Sequence, residues 1–179
     1  MNRLFVAIDL PEPVRKSIVD LACALPGARW VAMEQLHLTL RFIGAADDLT
    51  MRAIRTALQG VTGPSFSLAL SGIGHFPPGK HPRVLWVGLT ACEQLLALQQ
   101  QVELCLMEAG IPPDERQFSP HITIARLKET PARLVLALEE REMEFATESF
   151  DVSEFHLYAS TLTSAGAIHT ILESYPLAG

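Results

Sequence analysis

Residues 36–43, LHLTLRFI, alternate strictly between apolar and polar side chains. Leu36, Leu38, Leu40 and Phe42 fall on one face, and His37, Thr39 and Arg41 fall on the other. That period of two belongs to a half-buried β-strand with one wall against a core. The pattern returns at residues 118–126, FSPHITIAR, where His121 and Thr123 again share a face and Ile122 and Ile124 share the opposite one. A fold that accommodates both segments needs two strands, each with an apolar back and an imidazole and a hydroxyl in front.

The surroundings of the two segments also match. RLFVAIDL, a helical stretch and LHLTL in the first half correspond to RVLWVGL, a helical stretch and PHITI in the second. From Arg3 to His37 is 34 residues, and from Arg83 to His121 is 38. Helices are predicted at 12–25, 49–60, 92–109 and 131–141, from apolar residues at helical spacing and from Pro or Gly at the ends. Strands are predicted at 3–10, 36–43 (closed by Gly44), 66–73, 84–89 and 118–126, with a terminal pair at 150–159 and 167–175. No Pro-, Gly- or Ser-rich linker separates the halves. The expectation is one domain, residues 1–179, in which two β–α–β units pack as pseudo-symmetric lobes around a shared cleft.

Composition removes several alternatives. The chain has 179 residues, of which 49% are hydrophobic and 19% charged, a globular balance. No apolar run approaches a membrane-spanning length. The N-terminal apolar run contains Asp9 and lacks a small-residue cleavage site, so it reads as a first strand and not a signal peptide. Cys23, Cys92 and Cys105 are an odd, widely spaced set without a CxxC, which predicts buried thiols in a reducing cytoplasm. The net charge of −6 disfavours non-specific coating of nucleic acid. It is unevenly spread: residues 1–89 carry 9 basic and 6 acidic side chains, and residues 90–179 carry 5 and 14. The stretch from Leu49 to Cys92 has no acidic residue.

Two imidazoles and two hydroxyls facing one space suit in-line chemistry at a phosphodiester. A neutral His takes a proton from the attacking oxygen, and a protonated His gives one to the leaving oxygen. The Thr hydroxyls hydrogen-bond the non-bridging oxygens. A single His-x-Thr on a strand carries no weight, but two copies at matching places in a repeat do. The motifs lack neighbouring carboxylates and HxH or HxxxH spacing, so no metal or other cofactor is expected. There is no GxSxG, Walker or GxGxxG loop.

The paired motifs, His37-Leu-Thr39-Leu and His121-Ile-Thr123-Ile, resemble those of the two-histidine phosphoesterase superfamily. Within it the chain is similar to the bacterial and archaeal RNA 2′,3′-cyclic phosphodiesterases, also called 2′-5′ RNA ligases. The likeness extends over Arg3–Pro11, Trp30–Gly44, Pro82–Gly88, Phe118–Arg126 and Phe155–Ser160. It implies an α+β fold with two lobes of antiparallel sheet, helices outside and the cleft between. It implies metal-independent opening of a 2′,3′-cyclic phosphate at an RNA end, or on a small cyclic nucleotide, to a 2′-phosphate. His37 would then be the proton donor and His121 the acceptor; the residue pattern alone leaves that order open. Thr39 and Thr123 would hold the phosphate, with Arg126 as a further contact. Some members also join RNA ends reversibly through a 2′-5′ bond.

Arg126 poses a problem, because strict alternation from His121 puts it on the wrong face unless a bulge turns it. Arg41 has the parity to face the cleft. Phe5 and Phe42 stack a base or, more commonly for strand Phe, fill the core, where Trp86 is also expected. His75, Lys80, His81 and Arg83 lie in a loop that touches RNA backbone or is merely solvated. Asp9 reads as structural, Tyr158 and Ser160 carry little weight, and His156 and His169 belong to no motif. The alternatives are an RNA-end- or nucleotide-binding module without turnover, and a metal-dependent hydrolase built on His37, His121 and a carboxylate such as Asp9. No partner subunit is demanded, and a monomer is expected.

Overall fold

The two halves of the chain each open with an apolar strand that pairs, antiparallel, with the strand carrying His and Thr. The computed structural model describes residues 2–178. The first half runs β1 (Asn2–Asp9), α1 (Glu12–Val19), β2 (Ala28–Trp30), a 3-10 turn (Met33–Gln35), β3 (His37–Ala46) and α2 (Asp48–Leu58). Next come β4 (Phe66–Leu68), β5 (Leu70–Phe76), β6 (Val84–Leu89), α3 (Glu93–Glu108) and β7 (Ile122–Leu127). The chain closes with α4 (Ala132–Arg141), β8 (Phe150–Val152), β9 (Glu154–Thr163) and β10 (Gly166–Pro176).

One sheet has the order β10-β9-β1-β3 and the other β2-β7-β6-β5, and all their pairs are antiparallel. Thus β9-β1-β3 in the first matches β5-β6-β7 in the second. The fold is α+β with two related sheets, as the repeat implied. The halves differ at their margins. β3 is an edge strand, whereas β7 is covered by β2 on its outer side.

Alternation sorts the faces. Leu4, Val6 and Ile8 of β1 point away from the cleft, as do Leu38 of β3, Leu85 and Val87 of β6, and Ile122 and Ile124 of β7. They join one core with Ile18 of α1, Ile54 of α2 and Leu95, Leu98, Val102 and Leu106 of α3. On the cleft side, Phe5, Ala7 and Tyr158 form a separate buried group. α3 follows β6 in sequence but packs on α2 and β3, so the core runs continuously behind both sheets.

Several predicted boundaries shift for identifiable reasons. α1 ends at Val19, short of Leu25, and the Cys23 carbonyl beyond it accepts a hydrogen bond from Trp30 Nε1 at 3.2 Å. β3 does not stop at Gly44: the residue takes φ 93°, the pairing slips between Leu4 and Phe5, and the strand continues to Ala46. Residues 66–73 divide at Ala69 into β4, which pairs with β8, and β5, which pairs with β6. β7 begins only at Ile122, because Pro120 has no N–H for a ladder. α2 and α4 lie close to expectation; Asp47 caps α2, accepting from the Thr50 N–H at 2.7 Å. β2 is an additional strand, and at three residues it is too short for alternation to reveal.

Candidate active site

Both motif strands contain a β-bulge at the same step. On β7, Thr123 pairs with Trp86 and Ala125 with Leu85, so Ile124 is the extra residue. On β3, Thr39 pairs with Ala7 and Arg41 with Val6, so Leu40 is the extra residue. Ile124 and Ala125 are therefore both buried in succession, as are Leu40 and Arg41. The bulge reverses parity beyond it. Arg126, five residues after His121, returns to the cleft face, which resolves its predicted misorientation. Phe42, five residues after His37, does the same and is exposed there.

This correction works against Arg41. Its side chain does not face the cleft as a free cation but is buried, 8% exposed. Arg41 Nη1 donates to Glu103 Oε1 at 2.7 Å, and Nη2 donates to the Pro112 carbonyl at 2.7 Å. Asp114 lies 3.8 Å from its Nε. The guanidinium ties β3 to α3 and to the loop that leads toward His121.

His37, Thr39, His121, Thr123 and Arg126 line one cavity of about 400 Å³ between the sheets, together with Phe42 and Gln35. Thr39, Phe42, His121, Thr123 and Arg126 also border a larger arm of about 790 Å³ that opens past Phe76 and Val84. Each imidazole is held by the backbone two residues upstream. His121 Nδ1 is 2.8 Å from the Ser119 carbonyl and donates to it, which leaves Nε2 for chemistry. His37 likewise hydrogen-bonds the backbone of Gln35.

The environments of the two rings differ. His37 leans over the small Ala7 onto Phe5, with ring centroids 4.8 Å apart, and Phe5 stacks in turn on Tyr158 at 5.0 Å. Burial in this apolar setting, then the nearby His169, lower the His37 pKa to about 4. His121 has no stacked ring among the described residues and stands T-shaped to Phe76, with centroids 5.1 Å apart. Arg15 braces the His37 side from behind. It ion-pairs with Asp9, and it donates from Nε to the Leu10 carbonyl at 2.9 Å and from Nη1 to the Met33 carbonyl at 3.1 Å. Asp9 is thus occupied with structure, as its position suggested.

The family model of the 2'-5' RNA ligase superfamily matches residues 10–162. The chain belongs to that superfamily. Among its relatives is the "RNA 2',3'-cyclic phosphodiesterase" of Thermotoga maritima, 36% identical over 95% of this chain and 92% of its own. A solved Thermus thermophilus structure in the superfamily fold superposes with a TM-score of 0.82 at 30% identity, covering 99% of this chain and 98% of that one. Escherichia coli LigT complexed with 3'-AMP superposes with a TM-score of 0.79 at 28% identity, covering 99% of each chain.

Three placements around the superfamily's cleft differ from expectation. Trp86 is not core: it pairs with Thr123 on the cleft face, is half-buried, and lies over Gly74, where an added Cβ would come within 2.3 Å of its ring. His75 sits on β5, not in a loop, and is ion-paired with Glu139 of α4. Phe5 is buried as expected, but in the aromatic stack beneath His37 and not in the main core.

Sequence reasoning misses His169. It lies on β10, lines the 400 Å³ cavity, and stands edge-on 5.3 Å from the His37 ring and 5.0 Å from Phe5. Its Nδ1 is buried without a partner, and burial lowers its pKa. His156 is also buried, hydrogen-bonded to Ser174 Oγ at 2.8 Å. Gln35, whose side chain donates to the Ala167 carbonyl, ties the turn before His37 to β10. No described group of three or more His, Cys, Asp or Glu is placed to hold a metal ion. No described helix is long and apolar enough to cross a membrane.

Proposed function

We propose that the chain is a metal-independent RNA 2′,3′-cyclic phosphodiesterase that opens the terminal ring to a 2′-phosphate. One observation carries the reading: two bulged His-x-Thr strands from related half-sites converge on one cavity, which Arg126 of the second motif strand and Arg3 of β1 also line. The activity for which the relatives are named and the bound 3'-AMP of the Escherichia coli neighbour agree with it.

In the reaction, His121 Nε2 accepts a proton as water attacks phosphorus. The P–O3′ bond breaks, and His37 gives the departing 3′ oxygen its proton. Thr39 and Thr123 hydrogen-bond the non-bridging oxygens, and Arg126 offers a charge-assisted fork to the same group. The low pKa of His37 applies when no anion stands beside it. A phosphate anion within a few ångströms stabilises the imidazolium and so loads the donor when substrate binds. With an RNA 5′-hydroxyl in place of water, the same ring opening joins two ends: the hydroxyl attacks phosphorus and gives its proton to His121, the P–O3′ bond breaks with O3′ protonated by His37, and a 2′-5′ bond remains.

The substrate is an RNA end or a small cyclic nucleotide, the chain acts as a monomer, and its compartment is the cytoplasm. The free state of Cys23, Cys92 and Cys105 fits a reducing compartment. The test is incubation of a short RNA bearing a 2′,3′-cyclic phosphate with the protein and excess EDTA, followed by location of the product phosphate. A 2′-phosphate is the expected product. Retained binding without turnover moves the chain to the class of RNA-end binding modules, and loss of turnover in EDTA points to a metal-dependent hydrolase.

A further inference from the structure

Outside the cleft, the basic residues singled out in the 74–83 loop acquire a partner segment. Lys80, His81 and Arg83 line a depression of about 550 Å³ together with Lys128, Glu129 and Thr130. Two of the chain's three lysines are here, in a protein of net charge −6. Among the described residues, no carboxylate forms an ion pair with Lys80, Arg83 or Lys128; Glu129 lies in the wall but is not bonded to them. Cations left unpaired around one concavity form a local attractive field for an anion.

The backbone beneath them is fixed. The Leu127 N–H donates to the Arg83 carbonyl at 2.8 Å, and the Lys128 N–H to the Gly27 carbonyl at 3.0 Å. Gly27, at φ 77°, permits that approach, since a Cβ there would lie 2.0 Å from the Lys128 carbonyl oxygen. The hydroxyl of Thr130, in the same wall, is buried without a hydrogen-bond partner.

The location relates this depression to the cleft. Val84 and Arg126 are register partners and both line the larger arm. Arg83 directly precedes Val84, and Lys128 follows Arg126 by two residues, about 7 Å further out at the usual rise. A cationic path therefore leads from the phosphate position, over the open end of β6 and β7, into the depression.

We infer that the depression lined by Lys80, His81, Arg83 and Lys128 is a second subsite that binds a backbone phosphate of single-stranded RNA upstream of the cyclic end. The inference rests on the phosphodiesterase reading and adds that oligonucleotides are held better than mononucleotides.

The test compares the wild type with a Lys80→Glu/Arg83→Glu/Lys128→Glu variant on two substrates. One is a short oligoribonucleotide ending in a 2′,3′-cyclic phosphate; the other is a 2′,3′-cyclic mononucleotide. The expected result is a KM for the oligonucleotide raised at least about tenfold with kcat kept, and a weaker salt dependence, since each lost phosphate contact removes roughly 0.7 from the log–log slope. Mononucleotide kcat/KM stays within about twofold, because no phosphate reaches the subsite. Equal losses on both substrates, or none on the oligonucleotide, overturn the inference. A Lys80→Gln/Lys128→Gln variant with the wild-type Tm guards against misfolding. Should neither substrate turn over, the phosphodiesterase reading fails by itself. Fluorescence anisotropy with an oligonucleotide ending in a 2′-phosphate then still decides the subsite: equal affinity for wild type and variant overturns it.

Discussion

Five residues beyond the histidine, one motif strand presents a phenyl ring and the other a guanidinium. Phe42 and Arg126 occupy equivalent positions because both strands bulge at the same step. One residue earlier, the pair is Arg41 and Ala125, both buried. Beneath the histidines the contrast continues, with an aromatic stack under His37 and a ring edge against His121. The repeated backbone thus supplies two equivalent sockets, and the side chains make them unequal. A proton-transfer pair requires that inequality, since one group must give what the other takes.

The largest effect tests the inequality directly. His37→Ala and His121→Ala should each lower kcat by roughly 10²–10⁴-fold with the circular dichroism spectrum unchanged. The two losses should differ in pH dependence. Removing the donor deletes the alkaline limb of the kcat profile, which reports the substrate-loaded site, and removing the acceptor deletes the acid limb. If His37→Ala instead loses the acid limb, the proposed order of the pair is reversed. Full activity in either variant removes the pair from the mechanism.

Next comes the charged member of the Arg41/Ala125 pair. Making residue 41 resemble its counterpart, as Arg41→Ala, leaves the half-buried Glu103 without its cation. Stability should fall by about 3–5 kcal/mol in urea denaturation. Arg41→Met/Glu103→Leu should recover most of the loss, because removing both charges also removes the desolvation cost. A stable Arg41→Ala with lowered kcat contradicts the structural role and returns Arg41 to the phosphate.

The His and Thr positions are readable from sequence because alternation is local: four residues suffice to define a face. The bulges are not. They depend on register with β1 and β6, where the pairing slips between Val6 and Ala7 and between Leu85 and Trp86. Hence strict alternation misplaces Arg126 and makes Arg41 look available. Trp86 reads as core because VLWVGL is apolar throughout; the cleft-side room for its ring comes from Gly74 and Gly88, and Gly74 is on another strand. His169 escapes for a similar reason. Its place beside His37 follows only once β10 pairs with β9 and β9 with β1.

The exposed pair gives the third test. Arg126→Ala should cost about 10–100-fold in kcat/KM, the usual scale for a hydrogen bond to a charged group. Phe42→Ala, its counterpart, should raise KM only a few-fold and leave kcat alone, since an exposed ring supplies stacking surface but no charge. Equal effects at the two positions indicate that the guanidinium acts only as surface.

The smallest effect concerns folding and not turnover. The His37 pKa is lowered to about 4 by burial and then by His169, so the unfolded chain binds more protons than the folded one between there and about pH 6.5. The stability of a neutral, buried His37 is complete above pH 6.5 and is lost as pH falls toward 4. At pH 5 the deficit is about 2 kcal/mol relative to neutrality, at about 1.4 kcal/mol per pKa unit. His156 and His169 are shifted in the same direction, so the total slope does not isolate one ring. The difference between wild type and His37→Phe does. The phenyl variant keeps the stack on Phe5 but has no proton to bind, and its Tm should fall less between pH 7 and pH 5. His121→Phe, on the open side of the cleft, serves as the paired control. Parallel Tm curves for wild type and His37→Phe mean that folding does not lower the proton affinity of His37, and the loading of the donor must then come from the substrate alone.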